Sequence, residues 1–382
     1  MILSRLVLTG GRIVLPNRIL EGGAVVLEAG RIKAVLEKGD RLPPGLPRKD
    51  LGRSWLTPGL VELHIHGCGG LSFDALGPDS GAGAEALARA ALFLRERGVT
   101  TFVPTLAFKE SSLSNLAAAI DKLALDRLSL PGIYIEGPFI NPTRRGGIPL
   151  DAISDSDTRL LGRIINLAKG RMVMMTLAPE LPGYRETLAR LEAVGVLPCL
   201  GHSDCDLDHI TLPAGRFSIT HLFNAMSPIS HKFPGLAMLP FLERGAFVEL
   251  NPDGVHVHPA ALRMCAAGIE PDRLMLISDA AYPAGLPAGT YGDGESALVS
   301  GPHGVRYARS NLLMGGRLLG GELLRGWMKV TGASVPNAVR MLSLTQAQAL
   351  GIDGRRGAIA EGLDAALVVW KGEFEEVEEI IE

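Results

Sequence analysis

Cysteine is scarce in this chain and carries no pattern. The 382 residues contain four, Cys68, Cys199, Cys205 and Cys265, without a Cys-x-x-Cys spacing, which argues against both a disulfide framework and a closed zinc knuckle. Free and mostly buried thiols are expected, with Cys68 a weak ligand candidate two residues after His66. Long apolar runs are missing as well: none approaches the roughly 18–20 residues a membrane-spanning helix needs, so no membrane partner is expected. Met1-ILSRLVLTGGRIVL alternates and is broken by Arg5, unlike a basic leader with an apolar block and cleavage site, and reads as mature structure in a cytoplasmic protein. Neither sign of charge dominates. Lys and Arg number 38 against 41 Asp and Glu, a formal charge of -3, and the basic residues are scattered, so no nucleic-acid partner is expected.

What is present is an ordinary globular composition, 47% hydrophobic and 21% charged, in a length that suits a large barrel with a small second domain. Up to about residue 57 short alternating segments with glycine punctuation, such as Leu6-VLTGGRIVL and Ala24-VVLEAGRIKAVL, end in the proline-rich Leu42-PPGLPRKD and predict a small β domain. After Pro58-Gly59 strands alternate with helical stretches, the signature of a parallel sheet with crossover helices. Candidate strands are Leu60-VELHIH, Gly98-VTTFVPT, Gly132-IYIEGP, Arg171-MVMMTLAP, Val196-LPCLGHS, Ser218-ITHLF, Ala246-FVELNP and Arg273-LMLISDA. Eight such strands predict an α/β fold, a (β/α)8 TIM barrel. Ala84-EALARAALFLRERG and Tyr184-RETLARLEAVG read as amphipathic helices stopped by glycine. Past Asp279 the pattern turns loop-rich, then helical around Leu323 and Val335. The tail regains strand character at Ala366-LVVW and is expected to join the amino-terminal strands. The expected domains are a β-sandwich from 1–57 and 347–382 and a barrel from 58–346.

The most informative local feature is His64-x-His66 in Leu56-TPGLVELHIHGCGG. Strand alternation puts both imidazoles on one face and Leu63 and Ile65 on the other. The glycines that follow place the pair at the carboxyl edge of its strand, where barrel enzymes keep their chemistry. The other strand ends add Glu136, His202, His221 and Asp279. Four of the nine histidines thus fall on one rim, a poor fit to unrelated surface or core histidines. Imidazoles with a carboxylate and no converging thiolate suit zinc, iron, cobalt or manganese in a site open to water. Such an ion would acidify water and polarise a carbonyl, and Asp279 could shuttle a proton to a leaving amine. The competing reading of Asp279 is a helix cap.

These motifs resemble the amidohydrolase superfamily, and within it the N-acetylglucosamine-6-phosphate deacetylases. The resemblance runs almost end to end, through Pro58-GLVELHIHG, Tyr134-IEGPFIN, Gly201-HSD, Thr220-HLFNAMSPISHKFPG, Asp253-GVHVHP, Leu276-ISDAAYPAGLPAGTY and Gly357-AIAEGLDAALVV. It implies one metal on Glu136, His202 and His221, and a second ion bridged by Glu136 where His64 and His66 are both present. One or two divalent ions are expected, zinc or iron first. It further implies Asp279 as catalytic acid/base, Asn224 and Ala225 against the sugar phosphate, and His256 against the acetyl carbonyl or the phosphate. Competing readings are a turn for Asn224 and a solvent-facing loop for His256. His231-Lys232 stands where relatives carry a His-Arg pair that reaches the neighbouring subunit's phosphate site, which implies a homodimer. Lysine keeps the charge but loses the bidentate fork.

Other departures are Ile148, where relatives commonly place a histidine that lines the sugar site, Glu62 for a commoner aspartate, and Asn251-Pro252 for smaller apolar residues. They leave the metal ligands intact and bear on the substrate. The reaction expected is deacetylation of N-acetylglucosamine 6-phosphate. The alternatives are the same mechanism on another N-acylated amino sugar or small amide, and a catalytically silent barrel kept as a binding partner.

Overall fold

Eight short apolar strands lie side by side in chain order in the computed structural model of the protein, which describes residues 5–123 and 128–382. They are Leu60–Ile65, Val99–Ala107, Ile133–Glu136, Met172–Leu177, Leu197–Leu200, Phe217–Ile219, Ala246–Leu250 and Leu274–Leu276, each parallel to the next. The sheet curls until its edges meet. Ile65 bridges Ala280 in parallel, the Asp279 N–H donates to the His64 carbonyl at 3.0 Å, and that of His66 donates to the Ala280 carbonyl at 2.9 Å. The TIM-like barrel read from the sequence is therefore present, with every expected strand in place.

Crossover helices cover the barrel for the reasons their sequences suggest. In Ser80–Arg95 the Asp79 carboxylate accepts from the Gly81 and Ala82 N–H groups, and Ala86, Leu87, Ala90, Ala91 and Leu94 are buried at helical spacing. Each leucine buried this way is worth about 1.5–3 kcal/mol. Gly98 starts the next strand at φ +81°, and a Cβ there would lie 2.2 Å from the Trp370 ring. Glycine is required on both counts.

Both chain ends build two further sheets. One has the order Arg31–Leu36, Ala24–Glu28, Arg5–Thr9, Arg48–Asp50; the other has Glu376–Ile381, Leu367–Lys371, Trp55–Pro58, Arg12–Val14, Ile19–Glu21. A single apolar cluster joins them, drawing Leu8, Ile13, Val25, Ile32 and Leu56 from one end and Ile359, Leu367 and Val369 from the other. Among the described residues no helix is long and apolar enough to cross a membrane. All four cysteines are free and buried.

Two local expectations need correction. The segment after Asp279 is not merely loop: Gly289–Tyr291, Leu298–Gly301, Gly304–Tyr307 and Leu313–Gly315 form an antiparallel sheet. Strands of three and four residues between glycines leave little alternation to read. Nor do Leu63 and Ile65 share a face. Leu63 belongs to the barrel-interior cluster with Val103, Tyr134 and Met275, whereas Ile65 belongs to the cluster shared with the covering helices. The cause is a register shift against strand two, where the pair Phe102–Glu62 is followed by Pro104–Ile65. Strand one carries one residue more than its partner there, a bulge that re-aims side chains beside the site.

Candidate metal centre

The barrel interior is layered. Over the apolar plug that includes Met174, Cys199 and Met275 lies a polar layer on the next inward positions. The Tyr134 hydroxyl lies 2.9 Å from Thr176 Oγ1 and 3.0 Å from Thr220 Oγ1, and donates to Glu249 Oε1 at 3.2 Å. Above that layer sit the candidate ligands, at the carboxyl rim.

Glu136, His202 and His221 form a triangle. Glu136 Oε1 is 2.9 Å from His202 Nε2 and 3.0 Å from His221 Nε2, and the two Nε2 atoms are 2.9 Å apart. The His202 Nδ1 proton is committed to the Arg144 carbonyl at 2.8 Å, so its Nε2 turns a lone pair toward a carboxylate and a second imidazole. A cation between the three groups would satisfy all of them, and with ligand bonds of about 2.0–2.2 Å such ligand atoms would stand about 3–3.5 Å apart. Burial would raise the Glu136 pKa, yet His202, His221 and His66 hold it well below the usual carboxylate range. The residues fit an ion.

His64, His66 and Asp279 form the second buried group. Asp279 Oδ1 is 3.6 Å from the Nε2 atoms of both histidines. Glu136 stands between the groups, with Oε1 3.7 Å from His64 Nε2 and Oε2 3.3 Å from His66 Nε2. His64 Nδ1 donates to Glu249 Oε2 at 2.7 Å, which leaves its buried Nε2 facing the site without a hydrogen-bond partner among the described residues. That arrangement fixes the tautomer a metal ligand needs.

Backbone strain is concentrated here. His202, His221, Ala225 and Asp279 take φ of 47°, 28°, 49° and 45°, a left-handed turn that costs non-glycine residues about 1–3 kcal/mol each. It swings the side chains inward directly after their strands end. Asp279 is pinned on both sides, its N–H on the His64 carbonyl and its own carbonyl accepting from Gly316 at 2.7 Å.

The remaining expected residues divide. His256 is no solvent-facing loop residue: its side chain is 4% exposed, with Nδ1 2.8 Å from Asp253 Oδ2 and Nε2 3.6 Å from Asp279 Oδ2. Asn224 and Ala225 line the same cavity of about 880 Å³ as His66, Glu136, His202 and Asp279. Asn224 Nδ2 also donates to the His221 and Leu222 carbonyls, so it forms a turn as well as lining the site. His231 and Lys232 are exposed and lie off that cavity. Cys68 is buried, its thiol pushed up to about 12 by burial, and stands outside both ligand groups.

Sequence reasoning missed Glu249 and gave Glu62 no structural part. Glu249 touches His64, Tyr134 and the His221 N–H at 3.3 Å; the available signal was a glutamate inside the apolar strand Ala246-FVEL. Glu62 accepts from the His64 N–H at 3.1 Å and from that of Ser278 at 3.0 Å, tying strand one to strand eight. Burial pushes its carboxyl up to about 8. Asp74, half-buried in the cavity wall, also went unread.

A parallel barrel with buried histidines and carboxylates at its carboxyl rim defines an amidohydrolase. The amidohydrolase family profile matches residues 55–184. The chain is 31% identical to the N-acetylglucosamine-6-phosphate deacetylase of Bacillus subtilis (strain 168), over 95% of this chain and 92% of that protein. It is 30% identical to the N-acetylgalactosamine-6-phosphate deacetylase of Escherichia coli O157:H7, over 82% of each. The crystal structure of a Mycobacterium smegmatis N-acetyl-D-glucosamine-6-phosphate deacetylase variant in complex with N-acetyl-D-glucosamine-6-phosphate superposes with a TM-score of 0.86 at 28% identity, covering 99% of this chain and 98% of that one. The chain belongs to the N-acetylglucosamine-6-phosphate deacetylase family.

Proposed function

We propose that the protein hydrolyses the acetamide of N-acetylglucosamine 6-phosphate to acetate and glucosamine 6-phosphate, with Asp279 as proton carrier. The observation that carries this reading is the placement of that carboxylate at the end of the last strand, 3.6 Å from Nε2 of His64, His66 and His256 alike. Glu136, His202 and His221 would hold a zinc or iron ion, and His64 and His66 beside Glu136 could hold a second; such an ion would supply Lewis acidity toward an amide carbonyl and water. Asp279 accepts a proton from water as the new C–O bond forms. It returns that proton to the nitrogen as the C–N bond breaks, so the sugar leaves as an amine. His256, steadied by Asp253, is aimed to donate to the carbonyl oxygen or the phosphate.

Asn224 and Ala225 contact the sugar phosphate in this reading. His231 and Lys232, exposed and away from their own cavity, suit a phosphate bound in a second copy, hence a homodimer. Buried free thiols suit the reducing cytoplasm. The catalytic unit is 58–346, carried by a sandwich of 1–57 and 347–382.

One observation favours a second reading, in which another N-acylated amino sugar is the substrate. Among the described residues lining the cavity, Lys109 is the one lysine or arginine. An acetate-release assay over N-acetylglucosamine 6-phosphate, its galactosamine isomer and unphosphorylated N-acetylglucosamine, with metal content measured on the same sample, separates the readings. At least about tenfold higher kcat/KM for the first is expected, since one charge-assisted contact is worth that much. Equal rates with and without phosphate would remove phosphate from the proposal, and faster turnover of the galactosamine isomer would change the sugar. No turnover after metal is restored would leave a silent barrel.

A further inference from the structure

We infer that the cavity holds an apolar subsite beyond the reacting amide, built to take an alkyl or aryl group carried by the amino-sugar substrate; this rests on the amide-hydrolysis reading above. The ion ligands and Asp279 occupy the strand ends. The opposing wall belongs to the antiparallel sheet that follows strand eight, which contributes Leu298, Tyr307, Leu312, Leu313 and Met314, and Ile148 completes it. The two sides meet at Gly146-Gly147. A Cβ on Gly146 would come 3.6 Å from both His202 Cε1 and Ala225 Cβ, and one on Gly147 would come 3.7–3.9 Å from Leu313 O, Met314 Cα and the Tyr307 ring. With no side chain on either glycine, the groove stays open from the ligand triangle to the apolar wall.

The aliphatic side chains of that wall, Leu298, Leu312, Leu313 and Ile148, offer no hydrogen bond to a polar group. In this loop Arg145 Nη1 donates back to the Ile148 carbonyl at 2.8 Å. Ile148 itself is 6% exposed, and isoleucine offers no donor to a hydroxyl or phosphate. Toward solvent the apolar surface continues: Leu312 is 40% exposed and Leu150, beside the lining residues Pro149 and Asp151, is 64% exposed. Large aliphatic side chains left in water at the mouth of a catalytic cavity mark a surface that a ligand covers. An acetyl group has one methyl to offer such a wall. The group that fills it is either a longer acyl chain on the nitrogen or an aglycone on the anomeric oxygen.

The test measures amine release by the metal-loaded enzyme in two arms: N-acetyl, N-butanoyl and N-hexanoyl glucosamine 6-phosphate, and the free sugar against its methyl and phenyl glycosides. In one arm kcat/KM should rise with apolar size, by about fourfold for each methylene that leaves water. Leu312→Asn and, separately, Met314→Gln should lower the ratio of large-group to small-group kcat/KM toward one. A steady fall with size in both arms, or a ratio unmoved by either variant, overturns the subsite while leaving deacetylation intact. Absence of release from every amide overturns deacylation and the subsite together.

Discussion

The two ligand groups at the rim share Glu136 but are built differently. In the Glu136, His202 and His221 group the donor atoms are already 2.9–3.0 Å apart, and both histidines sit on strained backbone. In the His64, His66 and Asp279 group the corresponding separations are 3.6 Å, and only Asp279 sits at positive φ, while His64 lies within the strand's register shift. A site that has stored its distortion in the backbone needs little rearrangement to close on an ion. The looser group also contains the proposed proton carrier, Asp279, whose Oδ1 faces His64 and His66 while Oδ2 faces His256. On this contrast the first group is expected to bind an ion more tightly than the second.

Glu136 is the residue that can break this comparison, because it alone faces both groups. Glu136→Ala should strip both ions and lower kcat/KM by about 10⁴-fold or more, the scale of several kcal/mol of lost transition-state stabilisation. Metal analysis beside acetate release checks it. Retention of one full equivalent would mean that one group stands without the bridge. Asp279→Asn should separate chemistry from the tighter site: turnover falls by about 10²–10⁴-fold while the ion on Glu136, His202 and His221 is retained. Full activity in that variant would remove the acid/base assignment.

Glu249→Gln sharpens the difference between the groups. Glu249 holds His64 through Nδ1 at 2.7 Å but reaches His221 only through the backbone N–H. The substitution should therefore weaken ion binding at the second group by about 10–100-fold, with a smaller change at the first. Equal loss at both, read by calorimetric titration, would show that Glu249 supports the rim as a whole.

The barrel was legible because its strands are apolar runs separated by helices that end in glycine, and the candidate ligands were legible because His64, His66, Glu136, His202, His221 and Asp279 follow one after another at strand ends. What escaped is what alternation cannot encode. Glu249 looks like one polar residue in a strand until curvature aims it at His64, two strands away in the closed barrel. The bulge between Leu63 and Ile65 depends on the partner strand's register, and no single strand contains it. The antiparallel sheet after Asp279 was hidden by its glycines and prolines, so the wall it gives the cavity was hidden too.

A further expected effect is a dependence on pH that divides the two groups. Burial by itself would favour neutral His66, but the Glu136 and Asp279 carboxylates outweigh it and hold the imidazole up at about 9. In the metal-free protein His66 therefore carries a proton at neutral pH, and an ion entering the second group must displace it. Affinity there should fall about tenfold for each pH unit below 9, because one proton is exchanged per ion. The same proton contributes to the metal-free fold. Since the folded value lies above the unfolded one near 6.5, that contribution is complete below about 6.5 and disappears as pH rises through about 9. Thermal unfolding of the metal-free protein across that window should show a stability decline that His66→Asn flattens. Metal titrations between pH 6 and 9 that showed equal slopes at both groups would remove His66 as the source of the difference.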